Sequence, residues 1–90
     1  MSLNNKVIIV TGAGTGIGQA AARMFASEGA DLVLVGRRLE LLENTAKDCE
    51  SLGVRVLVVP TDLEIGDEAE NVVLQTVKHY GRVDILVNNA

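Results

Sequence analysis

The stretch VTGAGTGIGQAAA, from Val10 to Ala22, decides the fold of this chain. Its four glycines stand at alternate positions: Gly12, Gly14, Gly16 and Gly18. A β-branched run, KVIIV, leads into them, and an alanine-rich segment follows. A short apolar run of this kind is typical of a strand buried on both faces, and the apolar spacing after the glycines is helical. The stretch therefore predicts a buried strand, a glycine loop and a helix in direct succession.

Four apolar runs predict four strands, at residues 6–10, 31–35, 54–59 and 83–87, with a helical segment between each strand and the next. This alternation implies right-handed crossovers and a parallel sheet with helices on both faces. We therefore expect an α/β fold, a Rossmann-type doubly wound parallel sheet with strand order 3-2-1-4. Its ligand crevice should lie beyond the carboxyl ends of strands 1 and 4.

Three helices are predicted from apolar residues at helical spacing, and each stops at a glycine: Gly29, Gly53 or Gly81. One apolar stripe of each helix should face the sheet. The residues expected on these stripes are Ile17, Ala21, Met24 and Phe25, then Leu39, Leu42, Ala46 and Cys49, and finally Ala69, Val72, Val73, Val77 and Tyr80.

The size of the chain, 90 residues, suffices for one small domain. Hydrophobic residues make up 48% of it and aromatic residues 2%, so the core should consist of aliphatic and alanine side chains. The fourth strand would end this sequence with its apolar edge bare, which folded proteins usually avoid. We therefore expect the front half of a domain, interrupted after strand 4.

The charge and targeting signals exclude several classes of partner. A net charge of −4 argues against nucleic acid, which needs clustered Lys and Arg. The single cysteine, Cys49, excludes an internal disulfide and fits a reducing compartment. The start MSLNNK lacks the pattern of a signal peptide. No apolar stretch approaches the length of about 18 residues that is needed to span a bilayer. We expect a cytoplasmic protein without a membrane partner.

The glycine loop occupies the position of a phosphate-binding loop, between a buried strand and the first turn of a helix. Its glycines do not fit G-x-G-x-x-G, because Ile17 and Gln19 stand where the third glycine would fall. They fit G-x-x-x-G-x-G, at Gly12, Gly16 and Gly18. The helix start would offer free N–H groups to a pyrophosphate. The alternative is a glycine-rich turn with no ligand; a mononucleotide P-loop is excluded because no Gly-Lys-Ser/Thr follows.

Three motifs together resemble those of the short-chain dehydrogenase/reductase family: TGAGTGIG at 11–18, TDL at 61–63 and NNA at 88–90. The family's glycine motif is T-G-x-x-x-G-x-G, followed by an Asp before an apolar residue after strand 3 and then by N-N-A-G. The resemblance covers the whole chain and implies that residues 1–90 are the amino-terminal part of an NAD(P)-binding Rossmann domain. The loop residues that it implies as cofactor contacts are Gly12, Gly14, Thr15, Gly16, Ile17 and Gly18.

The resemblance also implies roles outside the loop. Asp62 would hydrogen-bond the adenine amino group, with the Leu63 backbone against the same ring, although Asp62 could instead cap a turn or helix. Asn88 and Ala90 would contribute backbone contacts near the ribose. Ile17 would lie near the nicotinamide, although core packing could equally explain it. The Thr11 hydroxyl and the asparagines of NNA would tie strands 1 and 4 together.

The segment LVGRRLE, after the second strand, indicates which dinucleotide is bound. Enzymes that use NAD usually carry an acid there, about 20 residues after the glycines, to hold the ribose hydroxyls. Here Gly36 takes that position, and Arg37 and Arg38 follow. A guanidinium can hold a 2′-phosphate through two parallel hydrogen bonds. We predict a preference for NADP(H), with Arg37 as the favoured contact; the alternatives are NAD(H) and a solvated helix start.

Catalytic and metal-binding residues are not predicted within these 90 residues. The family's chemistry uses a Ser and a Tyr with a Lys four residues later. The only tyrosine, Tyr80, is followed at that distance by Asp84, which would raise the pKa of a phenol, so we interpret Tyr80 as a packing residue. Cys49 and His79 form no metal-binding or nucleophilic cluster with other residues. We interpret Cys49 as a core residue and His79 as a solvated residue at the end of a helix.

The leading hypothesis is the cofactor-binding part of an NADP(H)-dependent oxidoreductase. The complete enzyme, which we expect to be a homo-oligomer, would pass a hydride between nicotinamide and a small carbonyl/alcohol substrate. One alternative is a non-catalytic NADP(H)-binding module, which would share every motif. Another is an S-adenosylmethionine-dependent methyltransferase, which Gly36 disfavours because such sites also use an acid after the second strand.

Overall fold

The computed structural model describes residues 2–89, which form one four-stranded parallel sheet and three helices in strict alternation. In chain order the elements are β1 (Val7–Thr11), α1 (Gly16–Ser27), β2 (Asp31–Gly36), α2 (Leu39–Glu50), β3 (Val56–Pro60), α3 (Glu68–Tyr80) and β4 (Ile85–Val87). The strand order is β3-β2-β1-β4, which confirms the predicted order. The third and fourth strands begin two residues later than predicted.

The centre of the sheet is β1, which lies between β2 and β4 and is buried along its whole length. Its side chains alternate between the two faces, as the period of a strand requires. Ile8 and Val10 pack in the cluster beneath α1 and α2, whereas Val7 and Ile9 pack in the cluster beneath α3. The continuous β-branched run therefore reflects a strand covered on both sides, as predicted.

The stripe predicted for α1 is only partly confirmed, because Phe25 is partly buried and packs against the core beneath α1 and α2 whereas two other members are exposed. Ile17 and Met24 are 76% and 55% exposed, and the buried residues of this helix are Gly18, Ala22 and Ala26. The helix turns its smallest residues to the sheet, so its backbone approaches the strands closely. The apolar pattern does not predict this face, because a helix that lies close to a sheet has room only for small side chains.

The stripe predicted for α2 is largely confirmed. Leu42, Ala46 and Cys49 are buried, as expected, but Leu39 is exposed because it stands at the first position of the helix. A residue outside the prediction, Thr45, is fully buried on the same face.

The stripe predicted for α3 is only partly confirmed. Val72 is buried, whereas Val73 and Val77 are exposed and the buried neighbour is instead Thr76. Leu86 of β4 is exposed on this side as well, so α3 covers its face of the sheet less completely than α1 and α2 cover theirs. Within residues 2–89, no helix has the length and apolar character needed to cross a membrane.

Candidate functional site

The glycine loop between β1 and α1 is shaped by contacts that leave no room for side chains. Gly12 adopts φ +60°, and a Cβ placed on it would lie 2.3 Å from the carbonyl oxygen of Asn89. A Cβ on Gly18 would lie 2.0 Å from the carbonyl oxygen of Gly12. These two glycines therefore allow the first turn of α1 and the segment after β4 to lie directly on the loop.

Gly16 and Gly14 meet different requirements. Gly16 has φ +57°, but nothing lies within 4 Å of the position its Cβ would take, so the loop is open at this point. A Cβ on Gly14 would lie 2.9 Å from Cβ of Leu41, so Gly14 packs against α2. The loop is thus packed against its neighbours at Gly12, Gly14 and Gly18 and open at Gly16.

The first turn of α1 presents unused hydrogen-bond donors. Thr15 is the N-cap residue, in extended conformation and without a side-chain capping bond. The N–H of Gln19 donates to the carbonyl of Thr15 at 3.3 Å, whereas the N–H groups of Gly16, Ile17 and Gly18 find no acceptor within residues 2–89. No acidic residue lies in this turn. Together with the partial positive charge of a helix N-terminus, these donors suit an anion such as a diphosphate.

Two of the clefts at the carboxyl ends of the strands border the glycine loop. The first, about 240 Å³, lies between β1, β2 and the segments that follow β3 and β4. The second, about 200 Å³, lies between the glycine loop and the start of α2. Gly12 and Arg37 line both clefts. The sequence-predicted site residues in the two linings are Gly12, Gly14, Thr15, Arg37, Arg38, Asp62, Leu63 and Asn88.

The remaining predicted residues lie elsewhere. Gly16, Ile17 and Gly18 form the first turn of α1. The Ile17 side chain is largely exposed, so the alternative of core packing for this residue is wrong. Ala90 lies outside the residues that the structure describes.

The two arginines differ in what they face. Nη1 of Arg37 lies 3.9 Å from Oδ2 of Asp62, across the first cleft, and the Arg37 side chain is 73% exposed. Nη2 of Arg38, the N-cap residue of α2, lies 3.3 Å from Oε1 of Glu40 in the first turn of that helix, and the Arg38 side chain is 71% exposed. Such exposed ion pairs contribute little to stability. Both guanidinium groups are therefore accessible to an anion, but only Arg37 faces both clefts.

Asp62 acts as a turn cap in this structure. Its Oδ1 accepts the backbone N–H of Glu64 at 2.9 Å, and its carbonyl accepts that of Ile65 at 3.1 Å. Helix α3 begins only at Glu68, so the capped element is the turn after β3. The second carboxylate oxygen, Oδ2, lies outside this turn and faces Arg37, and the Asp62 side chain is 28% exposed.

Thr11 joins β1 to the segment after β4, as predicted. Its hydroxyl oxygen accepts a hydrogen bond from the backbone N–H of Asn89 at 2.8 Å. The hydroxyl proton can be donated to Oδ1 of Asn88, at 3.2 Å, or to the carbonyl oxygen of Val87, at 3.4 Å. Because Thr11 is buried, these bonds fix the asparagines beside Gly12 at the floor of the first cleft.

The structure adds Thr45, a residue that none of the sequence motifs indicates. Its buried Oγ1 lies 3.1 Å from the carbonyl oxygen of Ala13, in the glycine loop, and Nε2 of Gln19 donates to it at 3.3 Å. The available signal was a threonine on the apolar stripe of α2, since a buried hydroxyl needs a hydrogen-bond partner.

Tyr80 and Cys49 are packing residues. The Tyr80 hydroxyl donates to the carbonyl of Leu32 at 2.9 Å, and burial, followed by the charge of Asp31, raises the pKa of Tyr80 to about 12. Asp84, which we expected to raise this pKa, instead holds Arg82 and the N–H of Val7, so that attribution is wrong. Burial likewise raises the pKa of the Cys49 thiol to about 11.

The other titratable groups of residues 2–89 form no metal site. His79 is exposed in the last turn of α3, as expected for a solvated helix end. Across residues 2–89, no three His, Cys, Asp or Glu side chains are grouped so as to hold a metal ion.

Comparison with known proteins gives consistent matches. The family model for short chain dehydrogenases matches residues 6–90. The uncharacterized oxidoreductase YhdF of Bacillus subtilis (strain 168) is 47% identical over 89 residues, which cover 98% of this chain and 31% of YhdF.

Two solved structures illustrate the structural likeness. L-sorbose reductase from Gluconobacter frateurii, complexed with NADPH and L-sorbose, is 43% identical with a TM-score of 0.93, over 100% of this chain and 35% of that one. Carveol dehydrogenase from Mycobacterium avium, in complex with NAD, is 28% identical with a TM-score of 0.91, over 98% of this chain and 36% of that one. The chain thus spans about a third of the length of these relatives.

Proposed function

Because the chain belongs to the short-chain dehydrogenase family, we propose that residues 1–90 are the amino-terminal, cofactor-binding part of an NADP(H)-dependent oxidoreductase. The family consists of oxidoreductases with an NAD(P)-binding fold. The complete protein would transfer a hydride between the nicotinamide and a small carbonyl/alcohol substrate, and it would act as a homo-oligomer in the cytoplasm. The bound cofactor supplies the hydride chemistry, and the residues of this chain bind and orient it.

The diphosphate of the cofactor would lie at the first turn of α1. The N–H groups of Gly16, Ile17 and Gly18, which have no acceptor within residues 2–89, support this, as does the open space at Gly16. A side chain on Gly16 would stand where the diphosphate must approach the backbone. The exposed Ile17 would then lie on the nicotinamide side of the diphosphate.

The adenosine half would lie in the first cleft. Asp62 has one carboxylate oxygen outside the turn that it caps, and that oxygen would accept the adenine amino group. Leu63 lines the same cleft and would pack against the ring. Asn88, at the floor of the cleft, and Ala90 would contribute backbone contacts near the ribose.

The preference for NADP(H) is carried by one observation, the position of Arg37 where the two clefts meet. The end of β2 has no carboxylate to hold ribose hydroxyls, and a Cβ on Gly36 would already lie 3.1 Å from Cδ2 of Leu42. An acid at this position would therefore need Leu42 to shift. A 2′-phosphate, in contrast, would find the exposed guanidinium of Arg37.

Titration of the protein with NADPH and with NADH tests this preference, because the two ligands differ only in the 2′-phosphate. Hydrogen bonds to charged groups stabilise a complex by about 1.5–3 kcal/mol, so NADPH should bind about 10- to 100-fold more tightly. The fluorescence of the reduced nicotinamide reports both equilibria. Equal affinities, or tighter binding of NADH, would contradict the preference while leaving dinucleotide binding intact.

The oxidoreductase part of the proposal needs a separate test on the complete protein. NADPH should be oxidised in the presence of at least some members of a panel of aldehydes, ketones and sugars, as measured by the loss of nicotinamide absorbance. Tight binding of NADPH without turnover of any of them would contradict an enzymatic function and would favour a cofactor-binding module.

A further inference from the structure

Thr45 lies in the middle of α2, and its side chain is fully buried between this helix and the glycine loop. Its Oγ1 lies 3.1 Å from the carbonyl oxygen of Ala13 and 3.2 Å from that of Leu41. Nε2 of Gln19, in α1, donates to the same oxygen at 3.3 Å. A hydroxyl has one proton, so Thr45 shares it between two carbonyls while accepting from Gln19. One side chain thus joins α1, α2 and the loop.

The orientation of the Ala13 carbonyl depends on its hydrogen bond with the Thr45 hydroxyl. Ala13 is fully buried, and its N–H donates to the carbonyl of Val35 in β2 at 3.2 Å. Within residues 2–89, the partner of its carbonyl is the Thr45 hydroxyl. A buried carbonyl without a partner is unfavourable, so removal of the hydroxyl favours rotation of this peptide group. Thr45 therefore sets the orientation of the peptide between Ala13 and Gly14.

The same peptide carries a potential ligand contact. In a trans peptide the carbonyl of one residue and the N–H of the next point in opposite directions. Because the carbonyl of Ala13 points into α2, the N–H of Gly14 points away from it, and this N–H has no acceptor within residues 2–89. Gly14 lines the second cleft beside Thr15 and packs on Leu41, one helical turn before Thr45.

We propose that Thr45 is a positioning residue for the cofactor: it anchors the Ala13 carbonyl and thereby directs the Gly14 N–H toward the diphosphate. This inference rests on the proposed function, because it assigns a further determinant of the same site. Thr45 itself does not touch the cofactor. It acts through Gly14, and its effect should be confined to ligands that carry a diphosphate.

The variants that test this inference are T45V, which replaces the hydroxyl by a methyl group of similar size, and T45S, which keeps the hydroxyl. Thr76 offers a matched control. It is fully buried in α3, and its hydroxyl donates to the carbonyl of Val72 at 2.8 Å, four residues earlier, as Thr45 does to Leu41. T76V therefore loses the same intrahelical bond at a site away from the loop.

Two ligands distinguish a positioning role of Thr45 from a general loss of structure at the site. All variants are made in the complete protein. NADPH carries the diphosphate, whereas adenosine 2′-phosphate lacks it and would use only the arginine and adenine contacts. T45V should weaken NADPH about 3- to 10-fold and leave adenosine 2′-phosphate within about twofold. T45S and T76V should bind both ligands within about twofold of the unaltered protein.

A measurement on the unaltered protein keeps the inference testable if T45V does not fold. The amide hydrogen exchange of Gly14, followed by NMR, should slow when NADPH is added and should not slow when adenosine 2′-phosphate is added. Unchanged exchange with NADPH would overturn the inference.

The binding data overturn it in three ways. T45V could bind NADPH as tightly as T76V does, it could lose affinity equally for both ligands, or T45S could be as weak as T45V. If the unaltered protein binds NADPH and any of these results is found, only the role of Thr45 fails. If the unaltered protein binds neither NADPH nor NADH, the proposed function fails and the inference fails with it.

Discussion

The two halves of the candidate site are built differently. On the loop side, Gly12 and Gly18 lie so close to neighbouring backbone that neither could carry a Cβ, and Ala13 is held at both its polar groups. On the arginine side, Arg37 and Arg38 are largely exposed and form only loose ion pairs. The loop side, where the diphosphate would bind, is thus preorganised, whereas the arginine side chains must become ordered when a ligand binds. Loop substitutions should therefore affect folding and binding together, and arginine substitutions binding alone.

The largest effect is expected from G18A. Its Cβ would lie 2.0 Å from the carbonyl oxygen of Gly12, so α1 or the loop must move. Overpacking of this kind should lower the free energy of unfolding by about 3 kcal/mol and abolish tight NADPH binding. Urea denaturation and NADPH titration measure the two losses. A G18A protein with unchanged stability would show that the loop side is not rigid, and the comparison would fail.

R37A should show the opposite behaviour. Loss of its hydrogen bonds to a 2′-phosphate should weaken NADPH about 10- to 100-fold, with NADH affinity unchanged. The free energy of unfolding should change by less than about 1 kcal/mol, because exposed ion pairs contribute little. R38A is the control: Arg38 is paired with Glu40 in the first turn of α2, so R38A should lose less NADPH affinity than R37A. Equal weakening of both cofactors by R37A would remove Arg37 from the 2′-phosphate site.

G16A separates backbone strain from ligand contact. Gly16 and Gly53 both have positive φ, and neither has an atom within 4 Å of its missing Cβ. Alanine at either position should lower the free energy of unfolding by about 1–2 kcal/mol through strain alone. Only G16A should also weaken NADPH binding, because only Gly16 lies at the mouth of α1. Equal NADPH affinities for G16A and G53A would show that the diphosphate does not approach Gly16.

The smallest effect concerns a carboxylate tied to the backbone away from the site. Asp84 pairs with Arg82 at 2.7 Å and accepts the N–H of Val7 at 2.8 Å. These contacts, that of Arg82 first, hold the pKa of Asp84 below its ordinary value of 3.8. The unfolded chain therefore binds this proton more readily, so Asp84 stabilises the fold above pH 3.8, and this contribution is lost as the pH falls through the lowered pKa.

D84N should therefore reduce stability at neutral pH and converge with the unaltered protein in acid, as measured by thermal unfolding across pH. E40Q is the control, since Glu40 lies in an exposed ion pair with Arg38, and such a pair should contribute little to the free energy of unfolding. If the difference between D84N and the unaltered protein were the same at every pH, the carboxylate would not be the group responsible. The ionised carboxylate of Asp84 would then stabilise the fold no more than an exposed ion pair does, and the contrast between fixed and exposed groups would fail.

The sequence predicted the architecture well because its signals are local. β-branched runs, helical spacing and glycine stops each act within a few residues, and the handedness of crossovers then leaves few topologies. The same local signals were only partly right within α1, where Phe25 packs on the core as predicted but Ile17 and Met24 do not. Ile17 and Met24 are more hydrophobic than Gly18 and Ala22, yet the small residues are buried, because a helix packed closely on a sheet has no room for large side chains.

By itself, the sequence determined the order of the elements, the place of the glycine loop and the absence of an acid at the end of β2. Each of these depends on residues adjacent in the chain. Only the tertiary structure decided that Asn89 closes on Gly12, that Arg37 faces Asp62 and that Thr45 anchors Ala13. These partners are distant in sequence, and they meet only because the parallel strands bring their carboxyl ends to one edge of the sheet and the helices return across it.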